Sequence, residues 1–135
     1  MNNNVSDYEE YEIAPDDAAA ATAFFRDIAT AAPSFETIVE KEIDFWGLIP
    51  HVVMIAVTEH ANRLANSANP EHTQDVLGFL GVLNRWWGNG DDTDYVINLI
   101  GVSFFESLFP IAEYARLRAL AARYPSWLAE LEDAT

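Results

Sequence analysis

The chain has 135 residues, half of them hydrophobic, with 4 Trp, 5 Tyr and 8 Phe, and it contains no cysteine. That length matches one domain, and that apolar content supports a packed core and excludes disorder for most of the chain. With 22 acids against 7 bases the formal charge is −15, which repels nucleic acid and anionic lipid and attracts basic proteins, while also serving solubility.

The lack of cysteine excludes disulfides and is compatible with a cytoplasmic location, which is the expectation here. The opening residues hold no basic segment followed by an apolar run, so they do not read as a signal peptide, and no apolar stretch is long enough to span a membrane. Residues 1–15 read as a flexible acidic tail, with Tyr8, Tyr11 and Ile13 as residues able to dock it. The first 17 residues carry Asp7, Glu9, Glu10, Glu12, Asp16 and Asp17 and no base. Residues 16–135 then read as a single compact all-α domain of about six to seven helices.

Proline, glycine and capping residues punctuate the helices. Asp16 or Asp17 caps a first helix through Ala18–Ala31. Pro33 and Ser34 open a second, which stops at Gly47. Pro50 opens a third, through Ser67. Asn69 caps a fourth, which begins with Pro70 and runs to Trp87. Asp92 or Thr93 starts a fifth, through Phe109; Pro110 starts a sixth, through Arg123; and Pro125 and Ser126 open a short last one. No run alternates in the strand manner. The connections are short, so neighbouring helices should pack as antiparallel hairpins. Gly78, Gly81 and Gly101 cost helix propensity, a cost usually tolerated where helices approach closely.

The fifth helix is apolar around nearly its whole circumference, which predicts a buried central helix. Its α-helical projection sets Glu106 between Tyr95, Leu99 and Val102. A carboxylate there is either paired or raised in pKa. It reads as a structural carboxylate bonded to a Tyr, His or Arg of another helix, with a general acid or base as the alternative. His60 falls on the apolar stripe of the third helix and reads as a satisfied core histidine. His51 lies at the edge of that stripe, and His72 reads as a surface residue in a first turn. Arg63 follows Glu59 by four residues, a plain surface pair. No His-Glu-x-x-His, phosphate loop or nucleophile elbow is present. No metal, cofactor or catalytic group is therefore assigned, and the chain does not read as an enzyme.

Two surfaces stand out as partner-binding candidates. On the second helix Glu36, Glu40 and Asp44 recur every four residues, opposite Phe35, Ile38, Phe45 and Trp46. Like charges at that spacing repel, and Asp44 lies near a helix C-terminus, where an acid is unfavourable. Such a stripe either meets a basic partner or is a solvated face. The other surface is the corner formed by Trp86, Asp91, Asp92 and Asp94. Trp86 there either anchors a partner within a polar rim or covers the end of the core. The acids also suit the N-terminus of the fifth helix and resemble a calcium loop only faintly, since no closing glutamate follows.

Three stretches carry a resemblance: Leu48-Ile49-Pro50-His51-Val52-Val53-Met54; Val76-Leu77-Gly78-Phe79-Leu80 with the Gly90-Asp91 turn; and Tyr95 to Ile100 with Val102 to Leu108. Together they resemble a family of small bacterial helical proteins, and residues Phe24 to Leu131 are covered. The family resembles immunity proteins encoded beside toxins of interbacterial competition. The resemblance implies a protein that binds and occludes a cognate toxin, expected to be a basic effector domain, with nucleases among the candidates. The alternative is an acidic helical adaptor or regulator of a basic protein. An enzyme built on Glu106 with His51 or His60 is the third reading.

Overall fold

The computed structural model describes residues 13–88, 94–108 and 112–124. They form an all-α domain, and no strand occurs among them. Helix α1 spans Pro15–Ala31, α2 Ser34–Trp46, α3 Pro50–Ala65 and α4 Pro70–Trp87. Helix α5 is a composite of an α-helical segment Asp94–Leu99, a π-helical segment Ile100–Phe105 and a closing α turn Glu106–Leu108. A 3₁₀ turn at Ala112–Tyr114 leads into α6, Ala115–Ala121. The expected last helix after Pro125 lies outside the described residues, as do Tyr8 and Tyr11.

The helix boundaries follow local chemistry. Pro15 occupies the first turn of α1, where its missing N–H costs nothing. Asp16 and Asp17 therefore lie inside the first turn and do not cap it; no side chain caps this helix. Gly47 ends α2 with φ +77, a left-handed conformation that glycine adopts without strain. Asn69 caps α4 as expected, its side-chain oxygen accepting the Glu71 N–H at 2.9 Å. His72 adds to this cap through Ser67 Oγ, 2.7 Å away, so it is half-buried and engaged, not a loose surface residue.

Sequential helices pack on one another, α1 on α2, α2 on α3 and α3 on α4. The hairpin series also closes on itself, because α1 packs against α4. Helix α5 covers this ring through α1, α3 and α4, and α6 lies on α3. The Arg118 guanidinium of α6 donates to the Leu108 carbonyl, tying α6 to the end of α5.

A relay of aromatic rings runs through the core. Trp87 meets Phe105 edge-on, Phe105 lies tilted against Phe104, Phe104 meets Phe79, and Phe79 stacks on Phe35 at 4.9 Å. Phe35 then meets the His60 ring edge-on at 4.7 Å. The relay links α2, α3, α4 and α5, and offset or edge-to-face pairs of this kind add to the burial of their area.

Helix α5 is not buried all round. Val96, Leu99, Ile100, Ser103, Phe104, Phe105 and Leu108 face inward, while Asn98, Val102 and Glu106 form an exposed line. In an α-helix, residues four apart drift by about 40° per step, which would carry Glu106 round to the buried side. The wider π turn removes much of that drift. The three residues stay on one face, and Phe105 turns inward against Trp87.

Candidate functional site

The acidic candidate surface lies on α2. The amino end of this helix is clamped from two sides. The Ser34 N–H donates to Asp75 Oδ2 of α4 at 3.3 Å, and Ser34 Oγ lies 3.2 Å from His60 Nε2 of α3. Arg63 approaches His60 Nδ1 at 3.4 Å. A guanidinium only donates, so Nδ1 accepts and Nε2 carries the proton given to Ser34. Burial, and next the charge of Arg63, hold the His60 pKa below its ordinary value. His60 is therefore a satisfied neutral histidine at the core margin. Arg63 is engaged with it and makes no ion pair with Glu59.

Phe35 and Val39 bury the inner face of α2. Glu36, Glu40 and Asp44 are all exposed, and none of their side chains makes a hydrogen bond or ion pair among the described residues. Glu36 and Glu40 line a groove of about 380 Å³ between α1 and α2, together with Thr22, Arg26, Thr30 and Val39. Glu40 and Asp44 continue into a shallow depression that also contains Lys41 and Phe45. Arg26 and Lys41 soften the field there without pairing with the stripe.

Phe45 and Trp46 do not join the core side, where the helical projection set them. Phe45 is 75% exposed and Trp46 53%, their rings in edge-to-face contact at 4.7 Å. The reason is positional. They are the last two residues before Gly47, and burial fades along α2, from buried Phe35 and Val39 through half-buried Ile43 to the exposed end. Helical periodicity describes direction around an axis and says nothing about how far along it the core reaches. The signal in the sequence was the pair's place at the helix end, next to Asp44.

The other candidate corner is arranged differently. Trp86 is engaged within the fold. It is half-buried, packs edge-on against Phe24 at 5.6 Å and donates its indole N–H to Asp27 Oδ2 at 2.9 Å. Arg85 pairs with the same Asp27 oxygen at 3.5 Å. Asp27 thus fastens the end of α4 to α1, and Trp86 covers the end of the core. Asp91 and Asp92 lie outside the described residues. Asp94 opens α5.

Glu106 is exposed and its carboxylate makes no hydrogen bond or ion pair among the described residues, which corrects its placement as a buried, partnered carboxylate. His51 instead meets Ser103 Oγ of the π segment through Nδ1 at 2.5 Å. Neither His51 nor His60 is hydrogen-bonded to Glu106. Among the described residues no buried side-chain nitrogen or oxygen lacks a partner, and no three metal-ligating side chains cluster. What the geometry offers is a surface: an acidic helix face ending in two exposed aromatic rings.

This is a compact all-α domain with that surface on its second helix. The chain belongs to the DUF7674 family, a domain of unknown function, whose profile matches residues 25–131. No curated protein and no solved structure matches the chain. No single helix among the described residues is long and apolar enough to cross a membrane.

Proposed function

We propose that this protein is an immunity protein, which binds a basic toxin domain through the α2 face and covers its active site. The observation that carries the reading is the stripe Glu36, Glu40 and Asp44, exposed and making no ion pair among the described residues, on a helix it destabilises. Repulsion between successive members costs a few tenths of a kcal/mol per pair. A basic partner turns that cost into attraction and steers encounter over the long range of the −15 field. Inhibition is then stoichiometric and needs no chemistry from this chain. The resemblance to immunity proteins supplies the toxin as partner.

The test is a growth assay. The carboxy-terminal domain encoded by the adjacent upstream gene is expressed with and without this protein, and the pair is co-purified. Rescue of growth with a stable complex is expected. Changing Glu36, Glu40 and Asp44 to Lys should abolish both. Absence of toxicity, or toxicity without rescue, sinks the reading. A complex with a basic host protein that neutralises nothing would instead make this chain an adaptor.

A further inference from the structure

We infer that Phe45 and Trp46 form the apolar anchor of the partner interface, and that the partner presents an apolar socket rimmed by Lys or Arg. The inference rests on the immunity reading and identifies the part of the surface that holds the complex together. Phe45 is the most exposed of the large hydrophobic side chains among the described residues, and Trp46 follows it. Solvent exposure of two adjacent aromatic rings is costly, and nothing in the fold requires it here. Val39 and Phe35 already seal the inner face of α2, and Gly47 ends the helix immediately after Trp46.

The surroundings define the occupant. Phe45 shares its depression with Glu40, Asp44 and Lys41, two acids to one base, and Glu42 precedes Asp44 on the same helix. No base lies in the last turn of α2. A second copy of this chain carries the same net charge of −15, so charge disfavours self-association. A basic surface satisfies both parts of the patch. Its cationic side chains meet the carboxylates and can lie over the indole face, while the two rings fill a pocket between them. Interfaces held in this way concentrate their affinity in a few buried aromatic residues surrounded by a polar rim.

The roles of rings and acids separate kinetically. Acids steer and act on association, whereas a desolvated anchor acts on dissociation. The probe is the upstream-encoded domain used in the growth assay, with binding followed at two salt concentrations. Phe45→Ala with Trp46→Ala should weaken the complex at least about 30-fold, mainly through faster dissociation. Its salt dependence should stay that of the unaltered protein. Thermal unfolding of the free variant should be unchanged, since neither ring is buried. In the unaltered complex, hydroxyl-radical oxidation of Phe45 and Trp46 should be suppressed.

A double variant within about threefold of the original affinity overturns the inference while leaving the immunity reading intact. Undiminished oxidation of the pair in the complex does the same. Failure of the upstream domain to bind removes both proposals. Concentration-dependent dimerisation of the free protein, lost in the double variant, would assign the patch to a second copy and overturn the partner named here.

Discussion

At Gly78 the backbone of α4 comes so near the end of α1 that a Cβ atom would lie 2.4 Å from the Ala31 carbonyl oxygen. Backbone cannot yield as a flexible side chain can, so Gly78→Ala should destabilise by about 1–3 kcal/mol. Gly81 and Gly101 are different. Their nearest neighbours stand 3.9 and 3.8 Å away, which is ordinary contact. Gly81→Ala should therefore be neutral or stabilising by up to about 1 kcal/mol, because alanine is the better helix former. Urea unfolding of the two variants separates the cases. His60 carries a second residue-level prediction. Its folded pKa lies below the ordinary value of 6.5 that holds in the unfolded chain. The unfolded chain thus takes up the proton first, and the contribution of His60 to stability is complete above pH 6.5 and falls as pH drops below it. His60→Gln keeps a donor for Ser34 but does not titrate. The loss of stability between pH 7.5 and 5.5 should be smaller in that variant, as measured by urea midpoints; an identical loss would show that other groups carry it.

Among the helices, α2 is where stability and binding are expected to conflict. Glu40 stands between Glu36 and Asp44 and repels both. Glu40→Gln should raise the stability of the free protein by roughly half a kcal/mol and at the same time slow association with the basic partner. A variant that gains stability without losing association rate would show that the stripe is only a solvated face. Helix α5 teaches a different lesson. Its apolar residues were legible, but the α-helical projection set Glu106 in the core because a π segment cannot be read from periodicity. The six residues Ile100–Phe105 alter the register of everything after them, and the choice of which side chain faces water moves with it.

For the whole molecule, the excess of negative charge predicts that formation of the proposed complex depends on salt. Association should slow as ionic strength rises, while dissociation, governed by buried contacts, should change little. Stopped-flow rates over a salt series check this; association insensitive to salt would remove steering from the mechanism. The ring of α1 to α4 also has a consequence. Helices α1 and α4 are distant in the chain yet packed together through Gly78, Phe24, Trp86 and Asp27. A substitution that opens this seam should loosen the whole domain. Trp86 thus serves as a structural closure, the core-cover role that its sequence allowed beside that of an anchor.

Composition, proline and glycine positions and capping chemistry sufficed by themselves to determine the all-α class, most helix ends and the acidic face of α2. These are local properties: each depends on residues within a turn or two, and charge on a solvent-facing stripe needs no partner to be recognised. Tertiary structure alone decided the closure of α1 on α4, the engagement of Trp86 by Asp27, the outward turn of Glu106 and the exposure of Phe45 and Trp46. The turn of Glu106 follows from the π segment within its own helix, and the others depend on where a second helix lies in space. An amphipathic pattern states which way a side chain points from its own axis, whereas burial depends on whether another element is there to meet it.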